Sequence, residues 1–122
     1  MTVPVSLKGR QILVVEDDFL IGYDFAQALQ RLGVLVLGPV GNIDDALDLL
    51  AETLDIDGAV LDLNLGGEMS YPIADALAER SIPFVFTTGY DKENIAGRFA
   101  AVTRCEKPVE ISQVVQAIFK QC

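Results

Sequence analysis

Gly58-Ala59-Val60-Leu61-Asp62-Leu63-Asn64-Leu65 decides the fold. Its start is a short apolar run, the signature of a strand buried on both faces. The run ends in a carboxylate, Asp62. The same pattern recurs on either side. Upstream, Ile12-Leu13-Val14-Val15 ends in Glu16-Asp17-Asp18. Downstream, Phe84-Val85-Phe86 ends in Thr87-Thr88-Gly89, and Lys107-Pro108 follows near the end of the chain. A parallel sheet would bring these strand ends to one edge. There they would form an acidic pocket with a hydroxyl and an amine, suited to a divalent cation and a phosphoryl group.

Outward from these runs, the chain alternates strand and helix patterns. Strands are expected at Gln11–Val15, Leu35–Gly38, Gly58–Leu61, Phe84–Thr87 and Thr103–Glu106. In the first helical segment Ile21, Phe25, Ala28, Leu29 and Leu32 recur at helical spacing, and Gly33 is a stop signal. In the second, Ile43, Ala46, Leu47 and Leu50 share a face behind an Asn42 cap. The third opens at Ser70-Tyr71-Pro72, a Ser70 cap with proline in the first turn, and has Ile73, Ala74 and Leu77 facing inward. The fourth, Lys92–Phe99, has Gly97 in its middle and few apolar anchors, and is expected to be short and mobile. The last, Glu110–Lys120, carries Ile111, Val114, Val115, Ile118 and Phe119 as its stripe. Such alternation implies an α/β fold with helices on both faces of a five-stranded parallel sheet. Right-handed crossovers leave a doubly wound sheet of order 2-1-3-4-5 as the simplest arrangement, with a ligand at the switch between strands 1 and 3. One domain over residues 1–122 is expected, with its core at 10–120 and a loose lead-in at 1–8.

Composition narrows the chemistry. The chain has 122 residues, of which 51% are hydrophobic, enough for one core and against disorder. The net charge of −9 disfavours nucleic acid and anionic membrane as partners. No apolar run reaches the length of a membrane span, and no leading segment resembles a signal peptide. Histidine is absent, which removes Ser-His and Cys-His nucleophile pairs and most zinc sites. Cys105 and Cys122 lack metal or redox spacing. Cys105 reads as strand core and Cys122 as a free thiol, consistent with a reducing cytoplasm.

Glu16, Asp17 and Asp62 would place three carboxylates near one another. At ~4 Å and an effective dielectric of ~20, each like-charge pair costs about 4 kcal/mol, so the cluster calls for a cation. Hard oxygen ligands select magnesium, or manganese, over zinc or copper. Asp18 reads as a helix cap. Asp62 could be only a ligand, but a carboxylate is also a nucleophile when a metal orients an incoming phosphoryl group. The Asn64 backbone carbonyl could complete the metal shell. Thr88 offers a hydroxyl donor. Lys107 offers a point charge that could pair with Asp62 and then with a phosphate.

Ile-Leu-Val-Val-Glu-Asp-Asp at 12–18, Leu-Asp-Leu-Asn-Leu at 61–65, Thr-Gly-Tyr at 88–90 and Lys-Pro at 107–108 resemble the receiver domain of two-component response regulators. The likeness runs from Arg10 to Lys120. That family is itself a known example of the 2-1-3-4-5 order, so the order follows from the resemblance as much as from the alternation. The resemblance implies that Asp62 is the phosphoacceptor. Asp17, Asp62 and the Asn64 carbonyl would bind magnesium, with Glu16 acting mainly through water. Thr88 would be the switch hydroxyl and Lys107 the conformational lysine, on a Lys107-Pro108 bond that is often cis in the family. The donor would be a phosphohistidine on a sensor histidine kinase or a histidine phosphotransfer protein. Two departures stand out. Arg104 occupies the position where many receivers carry a switch aromatic, and Gly66-Gly67-Glu68 replaces a common Pro-Gly, so that loop should differ in shape. Phe86-Thr87-Thr88-Gly89-Tyr90 resembles a Phe-x-Thr-Gly-Tyr motif of a subgroup of single-domain receivers, which makes Tyr90 a candidate for the mobile aromatic.

The expected function is that of a stand-alone phosphorylation switch. No output domain follows Cys122, so output is expected through contacts with an unknown downstream protein at the strand 4–helix 4–strand 5 face, or as a phosphate sink. Two rivals are weaker. Aspartate-nucleophile phosphatases of the haloacid-dehalogenase type require a second acid two residues after the nucleophile, where this chain has Asn64. A receiver-like binding module that is never phosphorylated would not need the full set of acceptor, acids and lysine.

Overall fold

The computed structural model describes residues 7–89 and 95–119. Strand β1 (Gln11–Val15) leads to helix α1 (Phe19–Arg31), β2 (Leu35–Val40), α2 (Ile43–Glu52) and β3 (Gly58–Asp62). Two short strands follow, β4 (Asn64–Leu65) and β5 (Glu68–Met69), then α3 (Tyr71–Glu79) and β6 (Phe84–Thr88). A 3-10 turn (Gly97–Phe99), β7 (Arg104–Glu106) and α4 (Ile111–Phe119) complete the described chain. The main sheet is parallel and runs β2-β1-β3-β6-β7, the expected doubly wound order.

Alternation along each strand splits the core in two. Leu13, Val15, Ala59, Leu61 and Phe86 face α2 and α3. Ile12, Val14, Val60, Val85 and Cys105 face the other side with α1 and α4. The cores of α2, α3 and α4 use the residues their periodicity marked. Ala46 and Leu50 are buried from α2, Ile73, Ala74 and Leu77 from α3, and Val114, Val115 and Ile118 from α4.

Helix α1 differs from expectation. It buries Gly22, Ala26 and Leu29, while Ile21 and Leu32 are exposed. The inward stripe is shifted by one residue because the helix must approach β2 closely. A Cβ on Gly22 would lie 3.1 Å from Pro39 Cβ. Only a residue without a side chain fits there without displacement. The larger Ile21, Phe25 and Ala28 instead line a cavity of about 500 Å³ that also touches Glu16, Lys107 and Ile111.

Three other expectations are corrected. Leu7, assigned to a loose lead-in, is 4% exposed and packs in the α1–α4 core. Ser70 precedes α3 but its side chain does not cap it, and its buried hydroxyl makes no hydrogen bond. The segment expected as a helix over Lys92–Phe99 forms a 3-10 turn at Gly97–Phe99, with 92–94 outside the described residues. Poor helix chemistry around Gly97 accounts for this. Tyr90 and Cys122 also lie outside the described residues.

Candidate phosphoacceptor site

Asp62 ends β3, the strand between β1 and β6 in the sheet. Parallel pairing places Val15 opposite Leu61, and Asp62 opposite Thr87. Glu16 and Asp17 therefore emerge from β1 beside Asp62. Glu16 N–H donates to the Val40 carbonyl at 2.9 Å, which prolongs the β1 ladder by one bond. The chain then turns into α1, where Asp18 Oδ1 accepts from Ile21 N–H at 3.0 Å. Asp18 is a helix cap, as its sequence context suggested.

Carboxylate oxygens of Glu16, Asp17 and Asp62 lie within 4.8 Å of one another. Glu16 and Asp62 are buried, and Asp17 is exposed. Lys107 Nζ reaches Glu16 Oε1 at 2.9 Å and Asp62 Oδ2 at 3.0 Å. The sequence suggested a pairing with Asp62 alone, and the double contact depends on how far the two strand ends converge. Lys107 is fixed in turn by its own N–H, which donates to the Thr88 carbonyl at 2.8 Å. The Lys107–Pro108 peptide is cis.

Burial pushes the Glu16 carboxyl up to about 7, against the pull of Lys107 and of the Asp18 N–H that donates to its Oε2. Burial alone would lower the Lys107 ammonium, but its bonds to Glu16 and Asp62 outweigh that and hold it above the ordinary lysine value. One ammonium thus serves two of three crowded carboxylates. The oxygen-only donor set suits a hard divalent cation.

Asn64, two residues beyond Asp62, makes two hydrogen bonds that its sequence position did not suggest. Its N–H donates to Asp62 Oδ1 at 3.2 Å. Its side-chain Oδ1 accepts from Gly67 N–H at 2.7 Å and closes the β4–β5 hairpin. Gly66 and Gly67 turn that hairpin at positive φ of 62° and 103°. This is the chemistry of a tight primed turn, and it explains why Gly-Gly stands there. The loop passes close to Asp17, since a Cβ on Gly66 would lie 3.6 Å from Asp17 Oδ2. Thr88 ends β6 and is buried at the same edge, while Thr87 pairs with Asp62 across the ladder and accepts from Leu63 N–H. Arg104 lies exposed on β7.

The structure thus brings Glu16, Asp17, Asp62 and Lys107 into one cluster, with Asn64 and Thr88 at its border. No family model matches the chain. The solution structure of SdrG from Sphingomonas melonis Fr1 is similar at 37% identity and a TM-score of 0.79, covering 91% of this chain and 97% of that one. The BeF3-activated conformation of SdrG from Pseudomonas melonis Fr1 is 41% identical, with a TM-score of 0.69 and coverage of 83% and 86%. The response regulator receiver domain (CheY-like) from Methylobacillus flagellatus is 25% identical, with a TM-score of 0.71 and coverage of 86% and 92%. Among curated sequences, the transcriptional regulatory protein PdtaR of Mycobacterium tuberculosis is 28% identical over 113 residues. That match covers 89% of this chain but only 55% of PdtaR, so the chain spans about half the length of that relative. With the sheet order, the acidic edge and this likeness together, the chain belongs to the receiver domain family of two-component response regulators.

Proposed function

We propose that this receiver accepts a phosphoryl group on Asp62 from a phosphohistidine of a sensor kinase or phosphotransfer protein in the cytoplasm. One observation carries the reading. Asp62 is only 6% exposed, yet it shares its strand end with two more carboxylates and one lysine ammonium. Such an arrangement is costly for stability alone, and it suits a charged reaction at that carboxylate.

In this reading an Asp62 oxygen forms the P–O bond while the donor's P–N bond breaks, and the imidazole leaves. Asp17, Asp62 and the Asn64 carbonyl would hold Mg2+, or Mn2+, with Glu16 beside them. When bound, such an ion neutralises phosphoryl oxygens and orients the incoming group. Lys107 already touches Asp62, and its ammonium would transfer to a phosphoryl oxygen as the carboxylate charge is consumed. The Thr88 hydroxyl would donate to another. Water later releases inorganic phosphate and restores the carboxylate. The phosphoryl group adds about −1.5 to −2 charges to this edge. Contacts with a downstream protein would change at the adjoining face of β6, the Gly97–Phe99 turn and β7.

The test is NMR titration with beryllofluoride and Mg2+, or incubation with acetyl phosphate followed by intact-mass measurement. Wild type should show shifts around Asp17, Asp62 and Thr88 and a phosphoryl mass increment. Asp62→Asn should show neither. Equal responses from the two chains would defeat the proposal.

A further inference from the structure

Tyr71 lies outside the acidic cluster, yet it joins three parts of the chain. It opens α3 one residue after Ser70 and two after the β4–β5 hairpin. Its hydroxyl accepts a hydrogen bond from Ala96 N–H at 2.9 Å. Its ring stacks on Phe99, with centroids 5.5 Å apart, and meets Phe86 edge-on at 6.4 Å. Arg98 lies over both the Tyr71 and Phe99 rings, at 5.5 and 4.7 Å. It also forks onto Asp75 of the same helix, at 3.0 and 2.9 Å. Phe86 stands two residues before Thr88 on β6.

We propose that Tyr71 is a positioning residue that couples occupancy of Asp62 to residues 95–99. The inference rests on the phosphoacceptor reading above. Asp62 Oδ1 accepts from Asn64 N–H, and Asn64 Oδ1 holds the hairpin turn at Gly67. A group placed on Asp62 competes for that acceptor and displaces Asn64. The hairpin's other arm runs directly into Ser70, whose N–H is held on the Leu63 carbonyl at 2.9 Å. Tyr71 is the next residue. Its rigid ring carries the displacement to the hydroxyl with few torsions to absorb it. The bond to Ala96 is a directional contact at the edge of the aromatic cluster, beside the Arg98–Asp75 fork, and its geometry makes it sensitive to a small shift of the Tyr71 hydroxyl. Receivers that carry an aromatic on the last strand have another route, and β7 here offers Arg104 instead.

Two variants remove the same hydrogen bond from opposite sides. Tyr71→Phe deletes the acceptor and keeps the ring contacts. Ala96→Pro deletes the donor, and the native φ of −52° at Ala96 suits proline. Each is titrated with beryllofluoride and Mg2+ and followed by amide NMR. Both variants should still bind beryllofluoride at Asp62, because neither residue touches the acidic cluster, with affinity changed only by the coupling factor itself. The shift changes at Gly97, Arg98 and Phe99 should fall to less than half of wild type in both variants. The double variant should lose no more than either single one, as expected when both report one contact. In Tyr71→Phe without ligand, exchange of the Ala96 amide should rise about tenfold. Full wild-type responses at residues 97–99 in both variants would overturn the coupling and leave the acceptor reading intact. Absence of any response in wild type would defeat the acceptor reading, and the coupling with it.

Discussion

Lys107 is the residue on which the acidic edge balances. Its ammonium bridges Glu16 and Asp62 and leaves Asp17 to solvent, close to both. Any divalent cation that binds the native cluster and not the unfolded chain must stabilise the fold by mass action. At about ten times its dissociation constant, the gain is roughly 1.4 kcal/mol, worth about 5 to 6 °C in melting temperature for a domain of this size. Calorimetry with Mg2+ should show this rise, and EDTA should reverse it. Asp17→Asn should lose the rise while melting near wild type in EDTA, because Asp17 is exposed and Lys107 does not reach it. A metal-dependent shift of the same size in Asp17→Asn would remove that carboxylate from the ligand set. The positions of these acids were legible in the sequence because strand ends of a parallel sheet must meet at one edge. The double contact of Lys107 was not, since it depends on how closely the strand ends converge rather than on residue order.

At the scale of elements, α2 and α3 are tied together by a side chain that no pattern marks. Arg80, just past α3, donates to the carbonyls of Leu50, Thr53 and Leu54 at 2.7, 2.8 and 3.0 Å. These are acceptors at the end of α2, where intrahelical donors run out. Arg80→Ala should cost about 1 kcal/mol, because the carbonyls can recover water at this exposed edge. Urea unfolding should show the midpoint falling by roughly 0.5 M with an unchanged slope. A midpoint equal to wild type would mean the three bonds are replaced by solvent without loss. Elements with a strong period were readable, which is why α2, α3 and α4 face the core as expected. The α1 face was misread because Gly22 and Ala26 carry little apolar signal. The small size of Gly22 answers to Pro39, a residue on another element. The β4–β5 hairpin has strands of two residues each, too short to show alternation. Gly66-Gly67 marks only a loop of different shape in the sequence, and the hairpin pairing is not legible from it.

The whole molecule is a sheet clamped between two helix layers, and the clamp and the site sit at opposite ends of β3. Gly58 begins that strand and Asp62 ends it. Four residue steps at ~3.3 Å separate them by roughly 13 Å. At Gly58 the sheet meets α4, where a Cβ would lie 2.5 Å from Ile118 Cγ2. That atom belongs to a β-branched side chain with little freedom to turn away. Gly58→Ala should therefore push α4 outward and destabilise the fold by about 1–3 kcal/mol, the usual range for overpacking. Ile118→Val keeps the crowded methyl position, whereas Ile118→Ala removes it. Combined with Gly58→Ala, only the alanine change should relieve the clash, leaving the double variant more stable than the sum of its parts. Because Asp62 lies at the far end of the strand, Gly58→Ala should retain its beryllofluoride response wherever it remains folded. Denaturant melts of wild type, the three single variants and the two double variants, read with and without Mg2+ and beryllofluoride, check both halves together. Additive losses would place the strain elsewhere than on Ile118. A response lost in step with stability would mean that the α4 contact and the acidic edge are not mechanically separate.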